Sequence, residues 1–392
     1  MIRIEDRYFS LNRVLLQLVG LWPYQKSKFV RLQLICFFII QITFIMAQLA
    51  TFLTSKCTTY FIIKVLSVAC GFIAIIIKYN LFCINAKIIK GLMEQLQCIY
   101  NDLKDNNEIA IIERYGRNAK YYTVTLTILI TCSMYVLVGS QVWPDIQQII
   151  SSTNKSRSRH LEILTEYFVD QEKYFYYLLL HINAAICIGL ITLMATGTML
   201  IAFYQYICGM FTIASFRIEN AIKNEVSQGI TLQNKNVHES IKCAVDIHRK
   251  AIHCSMYLIS NVEISFFFLI IVGVMTLSLN IFRIFQIITT TYNATELAKS
   301  FIIGFLSLIY MFIANLVGQE ITDHYNYIYL ATYEIRWYIA SLDIQKLILI
   351  LMQRGNKNFG LNVGGLFVAS IQCFTKLANT SLSYFTVMYS IQ

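Results

Sequence analysis

Seven apolar stretches dominate this sequence, and each is long enough to cross a lipid bilayer. A spanning helix needs about 20 predominantly apolar residues to cover a hydrocarbon core of about 30 Å. The predicted spans are approximately 32–53, 60–77, 121–142, 174–206, 258–282, 300–317 and 364–391. We therefore predict an all-α, polytopic membrane protein with seven transmembrane helices.

The composition excludes an ordinary soluble domain. Hydrophobic residues make up 57% of the chain and charged residues 14%, and the mean hydropathy is +0.57. A net charge of +10 would suggest nucleic acid in a soluble protein, but here the basic residues cluster between apolar stretches. Membrane topology explains them better, so no nucleic-acid partner is expected. No nucleotide-binding loop, hydrolase elbow or metal-ligand spacing is present, and we predict no enzymatic activity, cofactor or metal.

The basic residues also predict the orientation. Of the 32 lysines and arginines, 23 fall in the N-terminal segment and every second loop after it, and eight lie toward the other side. The positive-inside rule therefore places the N-terminus in the cytosol and the C-terminus outside the cell. Two glycosylation sequons, at Asn154 and Asn293, fall in loops predicted outside. The predicted regions are a cytosolic N-terminal segment (1–31), transmembrane helices 1–6 (32–317), a cytosolic anchor segment (318–357) and the last helix (358–392).

Several segments outside the spans also have helical patterns. A short amphipathic helix is expected at the membrane surface over 11–21, and another over 341–352, N-capped by Ser341. The fourth span is longer than a bilayer needs, which suggests a helix that projects into water at one end. The polar region 208–257 is also predicted to be helical, so the spans are expected to join a cytosolic helical region.

The last stretch carries a polar stripe. Its members recur every three or four residues, which places them on one side of a helix. They are Gln372, Lys376, Asn379, Ser383, Thr386 and Ser390. Such a stripe suits either close helix packing or a water-lined path, and the pattern alone leaves both open. Lys376 slightly favours the water-lined path, because a charge inside a bilayer usually points into protein or water.

The C-terminal part of the chain resembles the family signature of insect odorant receptors. The matching residues are Ala331, Tyr333, Trp337-Tyr338, Lys346-Leu347, Arg354, Gly364, Phe367, Phe374, Thr380-Ser381 and Ser383-Tyr384-Phe385. Gly318-Gln319 and His248-Arg249 also look like that family. The resemblance covers most of the chain in topology and about the last 75 residues in motif. One departure is Asn358, where the family often has proline.

The resemblance implies a ligand-tuned subunit in the cell membrane of sensory neurons. It would assemble with the family's co-receptor as a heterotetramer, forming a non-selective cation channel opened by small volatile organic ligands. The last helix would line the pore, with a constriction at Val387 and Ile391 beside Ser390. The polar stripe, which includes Ser383 and Lys376, would overlap that pore face without coinciding with it. The cytosolic ends of spans four to six and the helix over 341–352 would form the subunit contact.

The resemblance also implies a ligand pocket among spans two, three, four and six, in the outer half of the membrane. Such a pocket needs aromatic and aliphatic walls with one or two polar groups. The candidates that we name are Val68, Phe72, Tyr135, Gly139, Trp143, Tyr177, His181, Ala184, Ile188, Phe301 and Phe305. For each of them, a packing role or a lipid-facing position is the alternative.

Two other functions share parts of this pattern. A gustatory-type channel would have the same topology, although the TSxSYF ending argues against it. A transporter would usually show repeated halves or broken helices at mid-membrane, and neither is found. A G-protein-coupled receptor would have its N-terminus outside the cell, the reverse of the orientation predicted here.

Overall fold

The structure is a computed structural model that describes residues 7–25, 27–150, 161, 163–228, 234–290, 293–334, 337–355 and 359–391. Side chains are described for these except 142–150, 222–228, 234–236, 339 and 391. Trp143, Asn154 and Ile391 are therefore sequence-predicted residues whose side chains lie outside the described part.

The described chain is almost entirely helical, as predicted. The helices are α1 (Ser10–Leu18), α2 (Lys28–Thr54), α3 (Thr59–Ile84), α4 (Ala86–Asp102), α5 (Asn106–Ile150), α6 (Phe175–Gln228), α7 (Asn234–Thr289), α8 (Ala294–Glu334), α9 (Leu342–Gly355) and α10 (Ile371–Ile391). A short 3-10 helix, Trp337–Ile339, precedes α9, and a two-stranded hairpin of β1 (Asn362–Val363) and β2 (Phe367–Val368) precedes α10.

Local signals mark where several helices begin. The Ser27 side chain accepts a hydrogen bond from the Val30 amide, and the Thr58 side chain accepts one from Phe61, so each caps its helix. Asn293 does the same for α8, where its side-chain oxygen accepts from the amides of Thr295 and Glu296. The predicted cap at Ser341 differs, because its hydroxyl has no hydrogen-bond partner within the described residues. There α9 begins without a side-chain cap.

Within the described residues, six helices are long and apolar enough to cross a membrane: α2, α3 and α5 to α8. The 54 residues of α6 extend for about 80 Å, far more than the hydrocarbon core requires. This bears out the expectation that the fourth span projects beyond the bilayer. The final helix, α10, has sufficient length at 21 residues, but its polar stripe makes it less apolar than the six.

The last helix begins at Ile371 rather than near position 364. Gly364 and Gly365 have φ values of +63° and +67°, a conformation that favours glycine, and they form the turn of the hairpin. The apolar run from 364 to 370 is therefore hairpin and turn instead of helix.

The largest hydrophobic core lies where the long helices extend beyond their most apolar stretches. We call this region the base: α1, α4 and α9 together with residues 199–221 of α6, 237–262 of α7 and 317–334 of α8. In the base, Phe9 packs on Phe203 and Tyr206 of α6, with ring centroids 6.0 and 5.4 Å apart. The segment around α1 thus packs on protein with one side, while Val14 and Leu18 of α1 are exposed, and its position at the membrane surface stays a prediction. Helix α6 is the central element of the bundle. In its most apolar 18-residue stretch 78% is buried inside the protein, whereas the corresponding share for α5 is 17%.

Candidate functional site

A cavity of about 320 Å³ lies between the spanning helices. Its walls are almost entirely apolar. Lining residues come from α3 (Val68, Phe72, Ile75), α5 (Leu137, Gln141), α6 (Ile186, Leu190) and α8 (Ile303, Leu306). An apolar chamber of this size with few polar groups is suited to a small hydrophobic ligand.

Part of the loop between α5 and α6 closes over this cavity. Ile163 and Leu164 contribute to its lining. The amide of Glu166 donates to the carbonyl of Ala47 at 2.8 Å, which ties the loop to α2. We call the end of the cavity under this loop its outer end.

Helix α3 places a lysine at the opposite end of the cavity. The Lys78 side chain is 2% exposed, and its ammonium nitrogen lies 3.6 Å from the centroid of the Tyr310 ring. Its nitrogen has no hydrogen-bond partner within the described residues. The ring face therefore supplies the favourable contact that Lys78 makes there.

The cavity includes two of the residues named from the sequence, Val68 and Phe72. Phe72 packs closely on Phe44, with ring centroids 4.4 Å apart. Within the described side chains, the cavity wall does not include Tyr135, Gly139, Tyr177, His181, Ala184, Ile188, Phe301 or Phe305. Whether these residues contact a ligand stays a prediction.

The residues that were predicted from the sequence to bind ligand but do not line the cavity are either exposed or half-buried. Tyr135, Tyr177, Phe301 and Phe305 are exposed, and the last two stack on each other with ring centroids 5.9 Å apart. Gly139 is also exposed, whereas Ala184 and Ile188 are half-buried. On α5 and α8 the nearest lining positions include Leu137, Gln141, Ile303 and Leu306, which lie one or two residues away and so face another direction. Their only sequence signal is being apolar or small polar, which many neighbours share.

His181 lies in a hydrogen-bond chain beside the cavity. Its Nε2 is 3.0 Å from the Thr43 hydroxyl, and its Nδ1 is 2.8 Å from the Tyr167 hydroxyl. Because Thr43 donates its proton to the carbonyl of Ile39, it accepts from Nε2–H, and Nδ1 accepts from Tyr167. Burial raises the pKa of Tyr167 to about 12, so its phenol remains a donor at neutral pH. His181 thus connects α2, α6 and the loop that covers the cavity.

Replacing Tyr167 by phenylalanine is expected to loosen that loop. The change keeps the ring and removes one hydrogen bond, at a cost of about 1 kcal/mol in unfolding free energy. We expect a lower thermal midpoint and a several-fold weaker response to ligands that enter the cavity. Tyr121→Phe, at an exposed position on α5, is the matched control. Equal effects of the two variants would show that the hydrogen bond does not hold the loop.

The polar stripe of α10 is exposed on the described chain. Lys376, Ser383, Val387 and Ser390 are all exposed, and Val387 is 53% accessible. The opposite side packs on α7 and α8: Phe374 contacts Phe312, and Phe385 contacts Phe282 and Phe285, with ring centroids 5.3 to 6.2 Å apart. The helix therefore buries its aromatic side against its own chain and leaves the polar side uncovered.

Comparisons with known proteins identify a family and a fold. A family model described as 7tm odorant receptor matches residues 58–382. The fold is similar to a structure of the insect olfactory receptor OR5 from Machilis hrabei in complex with eugenol, with a TM-score of 0.82 and 16% identity over 99% of both chains. A second structure of the same receptor has a TM-score of 0.80 and 15% identity, covering 99% of this chain and 98% of that one. No curated protein sequence matches the chain.

Proposed function

The chain belongs to the 7tm odorant receptor family, and on this premise we propose that it is the ligand-tuned subunit of an odorant-gated, non-selective cation channel. As a member of a receptor family with six apolar spanning helices, it is a multi-pass protein of the cell membrane. The proposal adds a co-receptor partner, a heterotetramer and an ion pathway, with α10 as the seventh span.

The observation that carries the proposal is the uncovered polar side of α10. Serine, threonine, asparagine and lysine side chains facing lipid would be costly, so a helix of this kind needs protein or water beside its polar side. Assembly of four subunits around a common axis would supply both. The aromatic contacts of Phe385 with α7 would then connect the pore helix to the rest of the bundle.

The cavity supports the ligand-binding half of the proposal. Its walls include α3, α6 and α8, and α8 also contacts α10 through Phe312 and Phe374. A ligand that binds more tightly in the open state than in the closed state shifts the channel toward opening. Rearrangement of α8 around a bound ligand would reach α10 through that contact.

Currents recorded from cells that express this chain test the proposal directly. Cells with the chain alone, with the co-receptor alone and with both would be exposed to a panel of volatile compounds. We expect ligand-evoked cation currents that require both chains. Absence of evoked current in every combination, despite surface expression, would count against the channel function.

Replacing the two apolar side chains of the proposed constriction by alanine is expected to increase the current that flows in the absence of ligand. Val387→Ala and Ile391→Ala each remove apolar volume from the predicted gate, so we expect a severalfold larger basal leak or altered ion selectivity. Val136→Ala, a similarly exposed valine on α5, is the control. Unchanged permeation in both variants would remove these two residues from the gate.

A further inference from the structure

Helix α3 lines the cavity with one continuous side. The residues on that side recur every three or four positions, so they follow one another along the helix axis. They are Val68, Phe72, Ile75 and Lys78. With a rise of about 1.5 Å per residue, Lys78 lies about 9 Å beyond Phe72. We call the end of the cavity beside Lys78 its inner end.

The side-chain nitrogen of Lys78 has hydrogen-bond donors that nothing accepts. Because Lys78 is 2% exposed, bulk water does not solvate this nitrogen. It has no hydrogen-bond partner within the described residues, and it lies 3.6 Å from the centroid of the Tyr310 ring. A ring face attracts the ammonium, but an oxygen is the better acceptor for its N–H groups. An oxygen that reaches Lys78 would therefore be bound favourably.

The described wall of the cavity has no carboxylate near Lys78. Glu296 is the only acidic residue among the described lining residues. Its carboxylate accepts from Lys64 at 2.5 Å and from Arg283 at 3.4 Å. Lys64 and Lys78 are 14 residues apart on α3, which separates their backbones by about 21 Å. An acceptor at the inner end would therefore come from a ligand rather than from Glu296.

The ring beneath Lys78 fits closely against a neighbouring helix. A Cβ at Gly197 of α6 would lie 3.3 Å from the Tyr310 hydroxyl, so the glycine allows the ring to approach α6. Lys78, Gly197 and Tyr310 all line the cavity. Three spanning helices, α3, α6 and α8, therefore form the inner end and fix the position of its one basic group.

We propose that Lys78 selects small neutral carbonyl compounds, such as ketones, by donating a hydrogen bond to the carbonyl oxygen at the inner end. A carbonyl oxygen only accepts hydrogen bonds, which matches an ammonium that only donates them. A carboxylate would have to leave water and pass an apolar wall as a charge, at a much greater desolvation cost. The hydrocarbon part would lie along Phe72 and Ile75. This inference rests on the proposed function and names the chemical class of its ligand.

A pair of probes with the same shape tests the inference on the purified full-length protein. 2-Heptanone and 2-methyl-1-heptene differ only in the carbonyl oxygen, which is a CH₂ group in the alkene. Ligand-induced shifts in thermal unfolding across a concentration series would give the affinity of each probe. Heptanoate is the third probe, because it brings a carboxylate to the same cavity.

Lys78→Met assigns the recognition of the oxygen to this side chain, because methionine keeps an unbranched apolar chain and removes the donors. We expect the affinity for 2-heptanone to fall about tenfold and the affinity for the alkene to stay unchanged. A lysine with a purely structural role would lower the thermal midpoint without separating the two probes. Lys87→Met removes the same charge from an exposed position on α4 and should change neither affinity.

Infrared spectroscopy on the unaltered protein gives a result even if Lys78→Met does not fold. A hydrogen bond to the carbonyl oxygen weakens the C=O bond, so it lowers the stretching frequency. We expect 2-heptanone that is isotope-labelled at the carbonyl to absorb at a lower frequency when bound than when dissolved in a hydrocarbon. A frequency equal to that in the hydrocarbon would mean that no donor reaches the oxygen.

The outcomes separate this inference from the proposed function. Equal changes in ketone and alkene affinity in Lys78→Met, or an unshifted carbonyl band, would overturn the inference and leave a structural lysine. A larger loss for heptanoate than for the ketone would overturn it in favour of an anion site. Ketone currents that Lys78→Met leaves unchanged would overturn it with the channel function intact. Lys78-dependent ketone binding that evokes no current in cells with the co-receptor would support the inference and count against the channel function.

Discussion

Replacing Gly318 by alanine is expected to displace the hairpin that leads into the last helix. A Cβ at Gly318 would lie 2.7 Å from the carbonyl oxygen of Ala369 and 3.0 Å from its carbonyl carbon. Both neighbours are backbone atoms, so they cannot move aside as a flexible side chain does. Overpacking of this kind costs about 1–3 kcal/mol in unfolding free energy.

The consequence should reach the ion pathway, because this segment is tied to α8 immediately before α10 begins. The amide of Ser370 donates to the Asn315 side chain at 3.2 Å, and the amide of Ala369 donates to the carbonyl of Leu361 at 3.0 Å. Displacing Ala369 disturbs both bonds. We expect Gly318→Ala to lower the thermal midpoint of the purified protein and to abolish most of the ligand-evoked current.

The chain contains a matched control for this substitution. Gly91 lies within α4, and a Cβ there meets no atom within 4 Å. Gly91→Ala should therefore be neutral or stabilising by about 0.5–1 kcal/mol, because alanine is the better helix former. Adding Ala369→Gly to Gly318→Ala should restore only part of the stability, since the carbonyl contact remains. If Gly318→Ala matched Gly91→Ala in stability, the close contact would be refuted.

Removing the carboxylate of Glu108 is expected to destabilise the base severely, because this carboxylate holds an arginine that joins three helices. Arg217 of α6 donates from Nε and Nη2 to the two Glu108 oxygens, at 2.6 and 2.8 Å. Its Nη1 donates to the carbonyl of Cys243 in α7 at 3.0 Å. One guanidinium thus connects α5, α6 and α7. The Glu108 side chain is only 9% exposed.

Glu108→Ala would leave the guanidinium of Arg217 poorly compensated. Breaking a fully buried pair costs about 3–5 kcal/mol, and because the Arg217 side chain is 21% exposed we expect a loss at the lower end of that range. Chemical unfolding of the detergent-solubilised protein would measure this loss. Asp246→Ala breaks two exposed ion pairs, with Lys250 at 2.9 Å and with Arg249 at 3.4 Å, and should cost about 1 kcal/mol or less. Similar losses in the two variants would mean that burial does not strengthen the Glu108 pair.

The overall architecture followed from sequence because lipid imposes a simple requirement. A stretch of about 20 apolar residues has few alternatives to a spanning helix. The projecting fourth span and the helices of the polar region 208–257 are predictable for a related reason, since their 3.6-residue pattern continues beyond the apolar stretch. The hairpin was missed because Gly364 and Gly365 lie inside a mostly apolar run, although a Gly-Gly pair is itself a turn signal.

The residues that line the cavity were harder to predict from the sequence. In a soluble protein, polar residues mark the outside of a helix, but here the lipid side and the cavity side are both apolar. Val68 and Phe72 line the cavity, whereas Tyr135 and Phe301 are exposed, although aromatic side chains are equally suited to a ligand pocket. Hydrophobicity cannot distinguish these two sides of a helix.

The sequence by itself determined that this chain is helical, membrane-embedded and a member of its family, because those properties depend on the local order of apolar and motif residues. Only the tertiary structure decided which helix sides meet at the cavity and which charges share Glu296. Lys64 is 232 residues from Glu296 in the chain, and its contact with the carboxylate that Arg283 also binds depends on how three helices rotate and pack against one another. That rotation results from the sum of many weak packing contacts between distant parts of the chain, so it cannot be inferred from any one segment of the sequence.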